Sequence, residues 1–214
     1  MQTRNDARHV RVCDALLAMA MMLAVSACST AAPERAPTKQ ASILDTGTGF
    51  TVTESAQIGD EARRQYAAAT RLLEQQQYSQ GIELLLEVTK SAPQASAAYI
   101  DLGIAYGRSG DLDNGIATLE HAVALNPQHP VAYNELGMLY RKKGQFLKSR
   151  SSYEKALALS PQFHYARLNL AILCDLYLAD SGCALENYVA YQQAVPEDKN
   201  ASIWISDLRA RTNR

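Results

Sequence analysis

The sequence predicts an all-α protein, a superhelical stack of about four helical hairpins closed by a C-terminal capping helix. Three observations predict it. Pro93, Pro127 and Pro161 fall 34 residues apart. Tyr99, Leu102, Gly103 and Tyr106 reappear by the same step as Tyr133, Leu136, Gly137 and Tyr140, and Gly110 reappears as Gly144. Tyr78, Leu112 and Phe146 mark one apolar position in three successive units. A fixed period of this length marks stacked hairpins, none of which can bury both of its faces alone.

Each repeated residue type has a mechanical reason. Gly103 and Gly137 carry no side chain, so the second helix of the hairpin can approach closely. The facing sites are also small: Gly81, Gly115, Ser149 and Ala184. Tyr106, Leu119, Tyr140 and Tyr153 are large enough to fill the space around that contact. Gly110 and Gly144 lie between helices, where glycine takes the left-handed conformation that ends a helix. Each proline closes a second helix, because the residue before it is pushed out of helical geometry.

The array is expected over 60–196, in units 62–95, 96–129, 130–163 and 164–197. The two middle units carry the pattern in full. In the first, Gln65, Ala68, Ala69 and Leu72 stand at the marked sites. In the fourth, Leu170, Ala171 and Cys174 match the first helix, but closure on Pro196 needs one extra residue around Ala179–Cys183. With that insertion Ala184, Tyr188 and Tyr191 fall on second-helix sites. Segment 198–214 reads as the cap: Asp198 can start a helix in which Ala201, Trp204, Ile205 and Leu208 lie at helical spacing, with Arg209 and Arg211 near its end. Trp204 is expected to pack on the fourth hairpin.

The pattern of a large residue, Leu-Gly, Tyr, a small residue, an aromatic or aliphatic, Ala and Pro resembles the tetratricopeptide repeat (TPR). The resemblance implies a right-handed superhelix whose concave face is built mainly by the first helices. Carrying its register across places Tyr66, Thr70 and Leu73, then Ile100, Ile104 and Arg108, then Asn134, Met138 and Arg141, then Leu168, Ile172 and Asp175 on that face. Chaperone-type members clamp a C-terminal carboxylate there with lysine, asparagine and arginine. The corresponding positions here are largely apolar, so that clamp is expected to be missing. The groove instead suits an amphipathic helix or an extended hydrophobic peptide of a protein partner. The tether, the cap or a second copy of the chain are the competing occupants.

The N-terminus begins with Arg4, Arg8 and Arg11, followed by an apolar run from Ala15 to Val25. That run is shorter than the roughly 20 residues a membrane-spanning helix needs. Basic start, short apolar stretch and small residues describe a secretory signal, expected over 1–27. Val25-Ser26-Ala27-Cys28 resembles the bacterial lipobox. The resemblance implies acylation of Cys28, by palmitate among other chains, and Ser29 then implies sorting to the outer membrane, facing the periplasm. The alternative is an ordinary cleaved signal that ends in cysteine. Residues 28–59 are rich in small residues, Pro and Thr, and are expected to form a flexible tether.

Chemistry is sparse. A formal net charge of -1 provides no long-range pull toward nucleic acid or anionic membrane, so contact with a membrane is expected through the lipid anchor only. No P-loop, G-x-S-x-G, H-E-x-x-H or EF-hand pattern is present, and no enzyme activity and no cofactor are expected. His121, His129 and His164 lack close ligand spacing, so no metal is expected either. Cys174 and Cys183 would lie at similar height on either side of a hairpin turn. A disulfide, which an exported compartment permits, and two buried free thiols are both open readings.

Lipobox and array together resemble the TPR lipoproteins that accompany type IV or tight-adherence pili, whose members help secretin channels assemble. The expectation is a non-catalytic protein-binding scaffold at the outer membrane. An adaptor for peptidoglycan hydrolases or outer-membrane assembly machinery, and a structural homodimer, are the alternatives.

Overall fold

The structure, a computed structural model, describes residues 58–213 and, toward the N-terminus, the backbone of two short strands, 42–45 and 50–53. The signal segment 1–27 and Cys28 lie outside the described residues. Strands β1 (Ser42–Asp45) and β2 (Phe50–Thr53) pair antiparallel, with Ile43 opposite Val52 and Leu44 opposite Thr51. They fall within 28–59, the segment expected to form a flexible tether. Its mean composition is that of a linker, but Ile43, Phe50, Thr51 and Val52 are β-branched or aromatic and fit a paired strand.

Four hairpins follow. Their first helices are α1 (Asp60–Glu74), α3 (Ser96–Ser109), α5 (Pro130–Lys142) and α7 (His164–Leu176). Their second helices are α2 (Tyr78–Ser91), α4 (Leu112–Leu125), α6 (Phe146–Leu159) and α8 (Ser181–Ala194). The last helix is α9 (Lys199–Thr212). Each first helix packs on its own second helix, each second helix packs on the next first helix, and α9 packs on α8. The first helices also touch directly, α1 on α3, α3 on α5 and α5 on α7, which sets them on the inner side of the stack.

Local chemistry explains the helix ends. Ala92, Asn126, Ser160 and Val195 each precede a proline and each leaves the helix with φ between -132° and -140°. Proline Cδ crowds the preceding residue out of the α region, so one rule ends all four second helices. At the starts, the carboxylates of Asp111, Asp180 and Asp198 accept the backbone N–H groups of Asn114, Cys183 and Asn200 at 3.2, 3.0 and 3.0 Å. Such caps satisfy donors that the helix itself leaves orphaned.

The close helix–helix approach lies where small residues meet. A Cβ built on Gly103 would stand 2.6 Å from Leu119 Cγ and 3.1 Å from the Gly115 carbonyl oxygen. One built on Gly137 would stand 2.5 Å from the ring of Tyr153, which is fully buried. Here the Ser149 hydroxyl donates to the Gly137 carbonyl at 2.7 Å, satisfying a buried serine. The core continues through Leu170, Leu173, Ala184 and Tyr188 to Ile205 and Leu208 of α9. Trp204 is half-buried against Tyr188, ring centroids 5.6 Å apart, so it packs on the fourth hairpin.

Candidate functional site

The inner face is built from side chains of α1, α3, α5 and α7, and most of it is polar at its centre. Tyr66 of α1 donates its hydroxyl to Asp101 Oδ2 of α3 at 2.5 Å. Asn169 of α7 donates its amide to Asn134 Oδ1 of α5 at 3.0 Å, and Asn134 in turn donates to Glu135 Oε1 at 3.2 Å. Lys142 of α5 reaches back to the Gly107 carbonyl of α3 at 3.3 Å. Each bond joins neighbouring repeats or two adjacent positions, so the polar row also ties the stack together.

Burial raises the carboxyls of Asp101 and Glu135 above their ordinary values of 3.8 and 4.5. The hydrogen bond from Tyr66 opposes that rise at Asp101. At Glu135 the charge of Arg108, the amide of Asn134 and the charge of Lys142 oppose it. Withdrawal from water disfavours the charged form, and nearby donors and cations restore part of the loss. Toward the intra-hairpin turns the face becomes cationic: Arg108 is exposed, and Arg141 lies over the ring of Tyr177, 5.8 Å from its centroid. Ile104, Met138, Leu168 and Ile172 are half-buried between these groups, as are Tyr66 and Thr70 at the α1 end, whereas Leu73, expected on this face, packs onto Gly81 of α2.

Three expectations about this face change. Ile100 and Asn134 are each only 4% exposed, Ile100 in the core with Leu119 and Leu136 and Asn134 bonded to Asn169 and Glu135, so both are packing rather than groove. Asp175 turns to the cap, where Arg211 of α9 donates to it at 2.8 and 3.1 Å. The groove is also not largely apolar. Asp101, Glu135 and Asn169 share one position in three successive repeats, and sequence reasoning passed over it. The signal was available in the 34-residue step. A helix exposes an arc of about 100°, so each projected residue has an exposed neighbour on the same face.

At the fourth hairpin Cys174 and Cys183 are joined by a disulfide, with their Cα atoms 5.9 Å apart. The link ties the last turn of α7 to the first turn of α8. Asp180 completes the one grouping of three metal-type ligands among the described residues, but its two sulfurs are already bonded to each other. The three histidines stand apart. His121 packs on Tyr99 at 4.6 Å, His164 packs on Tyr165 at 4.3 Å, and His129 Nδ1 accepts the Ala132 N–H at 3.4 Å.

Residues 94–162 match the tetratricopeptide-repeat family model. Solved structures extend the likeness beyond that segment. MamA from Desulfovibrio magneticus RS-1 superposes with a TM-score of 0.66 at 18% identity, over 73% of this chain and 88% of that one. TTC0263, a thermophilic TPR protein of Thermus thermophilus, gives 0.61 at 21% identity, over 71% and 82%. The first TPR of Spaghetti (RPAP3), bound to the HSP90 peptide SRMEEVD, gives 0.54 at 20% identity, over 57% and 97%. No curated protein matches the chain. The nine described helices therefore form a tetratricopeptide-repeat superhelix, and 94–162 is the segment that matches the family itself.

Proposed function

We propose that this chain is a non-catalytic protein-binding scaffold, held at the outer membrane by an acylated Cys28, facing the periplasm, and serving the assembly of a pilus or secretin-type envelope complex. The inner face carries the reading. It offers half-buried apolar side chains (Ile104, Met138, Leu168, Ile172) beside the half-buried amide of Asn169 and the exposed Arg108, which can meet a peptide backbone. That combination suits a helical or extended peptide segment. The likeness to a TPR domain solved with a bound peptide supports the mode of binding. An acidic tail such as SRMEEVD fits this chain poorly, because Asp101 and Glu135 would meet it with like charge. Among the described residues no helix is long and apolar enough to cross a membrane, which is compatible with anchoring by lipid.

The test is crosslinking capture of the tagged, lipidated protein from native membranes beside an Ile104→Asp/Met138→Asp variant, with circular dichroism confirming that the variant is folded. Recovery of a secretin or pilus component with the wild type, and its loss with the variant, is the expected result. Identical captures from both proteins would remove the inner face from consideration as the recognition surface.

A further inference from the structure

The inner face of the two middle repeats carries its charges in two bands, with an apolar band between them. Asp101 and Glu135 are one 34-residue step apart, as are Ile104 and Met138, and Arg108 and Lys142. Within each first helix the three residues fall at i, i+3 and i+7, so they share one face of α3 and one of α5. Because α3 and α5 touch side by side, each residue type lines up across the stack. The carboxylates and the apolar side chains are half-buried, and both cations are exposed. In the fourth repeat the same positions hold Asn169, Ile172 and Leu176, so the apolar band continues there while the charges stop.

The bands do not neutralise each other. None of the four charged groups forms a salt bridge among the described residues. Asp101 accepts the Tyr66 hydroxyl, Glu135 accepts the Asn134 amide, and Lys142 donates one of its three protons to the Gly107 carbonyl. Each keeps capacity for a further partner of opposite charge. The charges of Arg108 and Lys142 are felt at Glu135, where they oppose the effect of burial, but the gap between the bands stays open.

The width of that gap fits a helix. Seven residues along a first helix span about 10 Å, and a helix with its side chains is about 10–12 Å across. One lying across α3, α5 and α7 reaches both bands at once, with its apolar stripe on Ile104, Met138 and Ile172. An extended chain, about 5 Å wide, covers only half of that width.

We propose that the inner face takes an amphipathic helix with basic residues on one flank of its apolar stripe and acidic residues on the other. The basic flank meets Asp101 and Glu135, and the acidic flank meets Arg108 and Lys142. This rests on the inner face being the partner site and specifies what that site accepts. Turning such a helix end for end exchanges its flanks, so the bands also fix the direction in which it runs.

The test uses three labelled helical peptides with one leucine stripe. They carry lysine on one flank and glutamate on the other, lysine on both, or glutamate on both. Fluorescence anisotropy is read with the full chain and with its Arg108→Glu/Lys142→Glu variant, whose fold is checked by circular dichroism. The mixed peptide should bind the wild type about tenfold or more tighter than either single-charge peptide, and the variant should prefer the all-lysine peptide. A photo-crosslinker at the N-terminus of the mixed peptide should label one end of the array, and the other end once the flanks are exchanged. Equal binding of the three peptides by the wild type, binding of none, or labelling that ignores the exchange would overturn the proposal. Native capture with Ile104→Asp/Met138→Asp reads the partner site separately. If that variant loses its partner while the peptides fail, the inner face remains the partner site and the two-flank helix falls.

Discussion

The two middle hairpins and the two outer ones have the same backbone plan and reach it by different means. In the middle pair, the helix contact is made by Gly103 with Gly115 and by Gly137 with Ser149. In the outer pair the same positions hold Ala69 with Gly81 and Ala171 with Ala184. The turns differ in parallel. Gly110 and Gly144 carry φ of 95° and 74°, whereas Gln76 and Ala179 carry φ of 60° and 50° without being glycine. The fourth hairpin adds a disulfide across its longer turn and an ion pair to α9. The repeat pattern is thus one solution to a packing problem, and the ends of the stack use others. An end hairpin has one neighbour fewer, and internal ties can substitute for the missing interface.

The largest expected effect comes from cutting such a tie. Cys174→Ala/Cys183→Ala should lower stability by about 2–3 kcal/mol, the loop-closure contribution of a short disulfide loop. Hydrogen exchange should locate the loss in α7, α8 and α9 and leave α3 to α6 protected; uniform loss of protection would show that the array unfolds as one unit.

Next in size is Gly137→Ala. The new Cβ would stand 2.5 Å from the ring of buried Tyr153, a rigid group with no free end to swing aside. Overpacking of this kind costs about 1–3 kcal/mol, partly offset by the better helix propensity of alanine. Urea denaturation should show a clear loss, while Ala171→Gly in the fourth hairpin should cost only about 1 kcal/mol, the propensity term. Equal losses at the two sites would mean that both hairpins depend on close approach alike.

The smallest effects lie at the turns. Gln76→Gly should stabilise the protein by about 1 kcal/mol by relieving a left-handed residue with a Cβ, and Gly144→Ala should destabilise it by a similar amount. Thermal melts of both variants would check the opposite signs. A destabilising Gln76→Gly would indicate that the glutamine side chain contributes more than its backbone conformation costs.

The fold was legible to an unusual degree because hairpin stacking repeats one local solution every 34 residues. Prolines, glycines and small facing residues each act through backbone geometry that a single chain segment already contains. The inner face was legible only in part. Its helices could be projected from the period, but Asp101, Glu135 and Asn169 were missed, and Ile100 and Asp175 changed roles. Whether a residue such as Asp175 faces solvent depends on an arginine 36 positions away, which no local spacing reveals.

Sequence alone therefore determined the hairpins and their order, since these follow from steric preferences acting over a few residues. Tertiary structure alone decided which first-helix side chains stay open and how the polar row from Tyr66 to Asn169 links repeats. Those outcomes depend on distances between groups far apart in the chain, and only the packed stack sets them.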